Sequence, residues 1–167
     1  MRKIISILLL LTLVIPAFSI SASVYVDEVR VILDGVELEF AVPPQIIDNR
    51  TMVPMRPIFE AFGMRVSWNN LLQRVEAFNV EKAVRLYVGD MEMQIGAIER
   101  FVIRDGHFGP DAAPFSLFVA DRTITLDMAP RIMYSWTFIP LRVVSEALNA
   151  AVDWCGDTRT VTITTGS

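Results

Sequence analysis

The chain has 167 residues, with 15 Lys and Arg against 19 Asp and Glu, a net charge of −4, one His and one Cys. That acidic balance argues against nucleic acid and against anionic lipid as partners, since both are held by Lys and Arg clusters. A single Cys cannot form an internal disulfide, so the fold rests on packing, and the length suffices for a buried core.

Met1-Arg2-Lys3 is a basic head, followed by an apolar run from Ile4 to Ile15, Pro16 and the small-residue tract Ser19 to Ser23. This is the layout of a secretory signal peptide over residues 1–23, with cleavage expected after Ser21 or Ser23. The apolar run is shorter than the roughly 20 residues of a permanent span, so no membrane span is expected after cleavage. A lipid anchor would need a Cys at the cleavage point, and the single Cys is Cys155. The mature chain is therefore expected to be secreted or cell-wall associated. It loses two basic residues with the signal and carries a net charge of about −6.

Val29, Val31 and Leu33 alternate before the turn dipeptide Asp34-Gly35, and Val36 to Phe40 alternates after it, which predicts a β-hairpin. Ile46-Ile47 and Thr51 to Pro54 flank the turn Asp48-Asn49-Arg50. A short helix follows, with Pro57 in its first turn, an apolar stripe of Ile58, Phe59, Ala61 and Phe62, and Gly63 as its left-handed cap. Val66 to Trp68 and Arg74 to Phe78 alternate around Asn69-Asn70, and Val84 to Val88 and Met91 to Ile95 alternate around Gly89-Asp90.

The stretch Thr51 to Trp68 is written again as Thr137 to Trp154, 86 residues later and without a gap. The same shift pairs Pro44 with Pro130, Arg56 with Arg142, Glu60 with Glu146 and Val75 with Val161. An internal repeat sets how the chain divides. The first copy is expected over residues 24–96, an unpaired Gly-, Pro- and Phe-rich insert over 97–117, and the second copy over 118–167. The expected fold is α+β, with two pseudo-repeated units, each a small antiparallel curved sheet packed on one short helix. One such unit is too small to be stable alone, so the copies are expected to share a core or a tight interface.

Val42 to Ile47, Arg50 to Arg56, Glu60 to Gly63 and Val66 to Trp68 resemble the copper amine oxidase N-terminal-domain-like family of exported bacterial proteins. Its pattern is a proline-led strand, an Arg-Thr-x-Val-Pro-x-Arg run, a Glu-Ala-Leu-Gly helix and a Val-x-Trp strand. The second copy follows the same order through Thr137 to Arg142, Ser145 to Leu148, Val152 to Trp154 and Thr158 to Ile163. Two departures are Tyr134-Ser135-Trp136 in place of the polar turn, which puts that turn's shape in doubt, and Asn149 in place of the helix-ending Gly. The resemblance implies a non-catalytic surface or appendage module. Oxidase chemistry belongs to a separate domain with several His ligands for copper, and here His107 and the distant Cys155 make no such set, so neither amine oxidation nor any cofactor or metal is expected.

Arg56 with Glu60, and Arg142 with Glu146, stand four apart at each helix start and are expected as structural ion pairs. Trp68 and Trp154 are expected to pack against the helices rather than to serve as sugar platforms. Unrepeated residues are the better candidates for ligand binding. Tyr134 and Trp136 replace Asp48 and Arg50, and this aromatic turn either packs under the Phe101 to Phe118 segment or presents a binding surface. A groove edged by Tyr134, Trp136, His107 and Phe108 is expected to take a cell-wall glycan or an extended peptide. Two alternatives are a wall-polymer hydrolase using Asp105, Asp111 or Asp121, and an assembly module joining partners through an exposed strand edge.

Overall fold

Alternating apolar residues separated by two-residue turns make hairpins, and the computed structural model, which describes residues 28–98 and 118–166, is built chiefly from them. The hairpin turns use left-handed backbone. Asp34 and Gly35 (φ 48° and 84°) join β1 (Arg30–Leu33) to β2 (Val36–Glu37), and Asp48 and Asn49 (φ 47° and 60°) join β3 (Gln45–Ile47) to β4 (Arg50–Pro54). Helix α1 (Met55–Ala61) follows β4 directly. Pro57 costs it little, because amide groups in a first helical turn have no intrahelical acceptor. The helix stops where Gly63, at φ 70°, turns its N–H back to the carbonyl of Glu60 at 2.9 Å. Strands β5 (Arg65–Asn69), β6 (Arg74–Phe78), β7 (Ala83–Tyr87) and β8 (Glu92–Ile98) then form a meander.

After residues 99–117 the chain continues with β9 (Phe118–Thr125), β10 (Arg131–Met133), β11 (Trp136–Pro140), α2 (Leu141–Ala147), β12 (Ala150–Cys155) and β13 (Thr160–Thr165). The β10–β11 turn keeps the backbone of the β3–β4 turn, with Tyr134 and Ser135 at φ 52° and 66°. The aromatic substitution therefore changes the turn's surface and not its shape, although a bulky left-handed residue costs roughly 1 kcal/mol. Asn149 takes the cap role of Gly63 at φ 68°, donating to the Glu146 carbonyl at 2.9 Å. Left-handed Gln73 and Arg159, both at φ 49°, are likewise 86 residues apart.

The strands form three sheets, ordered β12-β13-β1-β2, β10-β11-β4-β3 and β5-β6-β7-β8-β9. This differs from the expectation of one antiparallel sheet per unit. The middle sheet is joined by β4 and β11, with Val53 facing Ile139, the residue 86 positions later. The first sheet pairs β1 with β13 in parallel, from Arg30 opposite Thr160 to Leu33 opposite Ile163. A two-stranded hairpin alone is marginal, so β3–β4 and β10–β11 gain by making one four-stranded sheet, and β13 gains a second neighbour in β1.

The main core draws on all three sheets and both helices. Val53, Ile58 and Phe59 cluster with Val75, Leu86, Ile139, Leu141, Val144 and Ile163, all essentially inaccessible. A smaller cluster of Met52, Met128 and Phe138 is flanked by Val42, Ile47, Met133 and Trp136. Polar contacts fasten the sheets to the helices. Arg122 of β9 donates to the Ala147 carbonyl at 3.0 Å and Lys82 to the Leu148 carbonyl at 3.5 Å, so carbonyls at the end of α2 are met from the five-stranded sheet. Asp34 accepts from the backbone N–H and hydroxyl of Thr165 at 2.9 and 2.6 Å, which draws its carboxyl below the usual range and pins the first hairpin to the end of β13.

Strand β9 begins beside the end of β8, with Phe118 opposite Ile98, so residues 99–117 link two adjacent antiparallel strands. Arg85 holds this end, 4.2 Å above the Phe118 ring and 2.7 Å from the Glu76 carboxylate. The β8–β9 ladder carries an irregularity at Ile95 and Gly96. A methyl on Gly96 would strike the backbone carbonyl of Val119. Gly96→Ala is expected to cost about 1–3 kcal/mol, the range for overpacking, measured by urea unfolding.

Candidate functional site

The middle sheet places each hairpin turn opposite the helix start that belongs to the other half of the chain, and a groove opens at each of these junctions. The larger groove, about 470 Å³, has Ile46, Asn49, Arg50 and Thr51 on one wall, Leu141, Arg142, Val152 and Trp154 on the other, and Asp127 between them. The smaller, about 370 Å³, has Ile132, Ser135, Trp136 and Thr137 facing Met55, Arg56, Trp68 and Asn70. The two linings correspond at the 86-residue offset. Ile46, Asn49, Arg50 and Thr51 answer to Ile132, Ser135, Trp136 and Thr137, and Leu141, Arg142 and Trp154 answer to Met55, Arg56 and Trp68.

The polar groups differ between the grooves. Arg50 is committed, with its Nε 2.8 Å from Asp127 Oδ2 and its Nη1 donating to the Asp48 carbonyl at 3.0 Å. Arg56 lies 3.3 Å from Glu60, as expected for an ion pair across one helical turn. The same pair does not form between Arg142 and Glu146, both exposed, and Arg142 has no ion pair or hydrogen bond among the described residues. The equal spacing of the two pairs hides this, because a four-residue separation permits a contact between flexible exposed side chains without fixing it.

The aromatic residues differ as well. Trp68 is half-buried and packs against the main core, as the sequence leads one to expect, whereas Trp154 is 40% exposed on the wall of its groove. Trp136 packs on the Met52, Met128 and Phe138 cluster and shows its remaining surface to the smaller groove. Tyr134, 71% exposed, projects at the tip of the same turn and does not line the groove. His107, Phe108, Asp105 and Asp111 lie outside the described residues.

Residues 32–106 and 116–167 match the copper amine oxidase N-terminal domain. The chain belongs to that family. No curated protein and no solved structure matches it. Membership makes this a relative of a non-catalytic accessory module, and amine oxidase chemistry is no part of what such a domain does. Four residues of the family pattern stand at the grooves: Arg56 and Trp68 in the smaller, Arg142 and Trp154 in the larger.

The groove linings hold one carboxylate, Asp127, and it is tied to Arg50. A glycosidase pair stands about 5–9.5 Å apart, and the described residues of the two linings supply this one carboxylate. Asp121 is exposed on β9 and lines neither groove. Among the described residues no group of three or more His, Cys, Asp or Glu is placed to hold a metal, and no helix is long and apolar enough to cross a membrane. Cys155 is exposed after Trp154, and hydrogen bonds from the hydroxyl and backbone of Thr158 draw its thiol below the usual value of 9.0.

Proposed function

We propose that this copper amine oxidase N-terminal domain is an exported, non-catalytic binding module of the cell envelope, built from two copies of one unit, and that its smaller groove seats a wall glycan. The observation that carries the ligand class is the meeting of Trp136 and Trp68 with Arg56, Asn70, Ser135 and Thr137 on one concave surface. A pyranose presents an apolar C–H face and a rim of hydroxyls. Indole surface suits the first, and short polar side chains with a guanidinium suit the second. Two aromatic contacts and a few hydrogen bonds, each worth about 0.5–1.5 kcal/mol, fit a weak ligand of roughly millimolar affinity.

Duplication is supported by the recurrence of element bounds and left-handed positions 86 residues apart, and by Val53 facing its equivalent Ile139 across the β4–β11 ladder. Export is supported by the basic head and apolar run within residues 1–23.

The test is co-sedimentation of the mature chain with insoluble peptidoglycan, together with a soluble glycan panel and a set of extended peptides. Trp136→Ala is expected to weaken glycan binding at least about tenfold while leaving the far-UV spectrum unchanged. Equal binding by the folded variant, or capture of peptides alone, would overturn the assignment.

A further inference from the structure

The larger groove has no role in that reading, yet it is the counterpart of the smaller one. We propose that it is a second ligand seat, selective for a sugar that carries a carboxylate, with Arg142 as the charge partner and Trp154 as the stacking face. The proposal rests on the glycan reading of the smaller groove and adds to it a second site and a different chemistry.

Three observations carry it. The first is correspondence: Arg142 and Trp154 occupy the positions of Arg56 and Trp68, and Asn49 and Thr51 those of Ser135 and Thr137, so a pyranose has a similar frame in both grooves. The second is charge. Arg50 and Asp127 neutralise each other at 2.8 Å, and Arg56 in the other groove is matched by Glu60 at 3.3 Å. Arg142 has no such partner among the described residues, which leaves the larger groove with one uncompensated guanidinium on its wall. A guanidinium binds a carboxylate through two parallel N–H···O bonds, a geometry that a neutral hydroxyl cannot reproduce.

The third is the aromatic surface. Trp154 is 40% exposed, and the position equivalent to Trp136 is held by Arg50, which is turned to Asp127. The larger groove thus holds indole surface with no second aromatic residue among its lining residues. The larger volume, about 470 against 370 Å³, leaves room for the substituent that bears the acid.

The carboxylate is either the exocyclic C6 of a uronic acid or the end of the lactyl ether of a muramic acid; the chemistry at Arg142 is the same. Isothermal titration of the mature chain would compare N-acetylmuramic acid with N-acetylglucosamine, and glucuronic acid with glucose. The expected result is a preference for the acidic member of at least one pair of about tenfold, weakened by added salt. Arg142→Gln and Trp154→Ala each bring binding of the acidic sugar down to that of its neutral counterpart, and Trp136→Ala leaves the preference in place. Arg142 is exposed, so its variant is expected to fold normally, as a thermal melt will show. If Arg142→Gln keeps the preference, or acidic and neutral sugars bind alike while Trp136→Ala still weakens neutral binding about tenfold, the second seat is wrong and the first stands. If no sugar binds any of the proteins, both readings fall.

Discussion

Expressed alone, residues 118–167 will show no cooperative unfolding transition, and residues 28–98 will lose most of the thermal stability of the intact protein. Each of the three sheets depends on a strand pair that joins the two halves: β1 with β13, β4 with β11 and β8 with β9. Cutting between the halves leaves the second with a lone β9 and two hairpins, and isolated hairpins are marginal in water. The first half keeps its β5 to β8 meander. Yet Val53, Ile58 and Phe59 would face solvent where Ile139, Val144 and Ile163 had covered them. About 50 residues bury too small a fraction of their surface to repay chain entropy, so the second half forfeits essentially the whole of the roughly 5–15 kcal/mol typical of a domain. Circular dichroism melts of each half and of their mixture check this, and a sharp, reversible transition for residues 118–167 alone would refute a shared core.

That dependence was only partly legible in the amino acids. Asp34-Gly35 announces its hairpin because a two-residue turn needs φ > 0 twice, and Gly63 announces the end of α1 for the same steric reason. The alternation of Val84 and Leu86 against Met93 and Ile95 gives the buried face of β7 and β8 directly, since side chains alternate across a strand. Alternation says which face is buried and is silent on which strand lies alongside. The pairings of β4 with β11 and of β1 with β13 were therefore out of reach, and with them the fact that each groove takes one wall from each half of the chain. Tyr134 and Trp136 drew notice because they break the repeat, whereas Arg142 and Trp154 were read as scaffold because they keep it. Their difference from Arg56 and Trp68 lies in neighbours: Glu60 bonds Arg56, Trp136 shares the groove of Trp68, and Arg50 stands at that position in the larger groove but turns to Asp127.

Phe59→Ala should be the most damaging single truncation in the core, costing about 3–5 kcal/mol. Phe59 is wholly inaccessible and stands on α1 within the main cluster. The position 86 residues later on α2 is Ser145, also wholly inaccessible, and its Oγ has no hydrogen-bond partner among the described residues. Two helices that otherwise correspond thus bury a large ring at one site and a small hydroxyl at the other. The consequence is opposite signs at matched positions. Removing the Phe59 ring leaves a cavity that flanking strands cannot close, while Ser145→Ala removes a polar atom without an acceptor and is expected to stabilise by about 1 kcal/mol. Urea unfolding of both variants at one pH measures the contrast, with unchanged slopes showing that the denatured state is not the cause. A cost below about 1.5 kcal/mol for Phe59→Ala would mean that the site collapses on the truncation, and so that the interior is less tightly held than the complete burial of Phe59, Val53 and Ile139 requires.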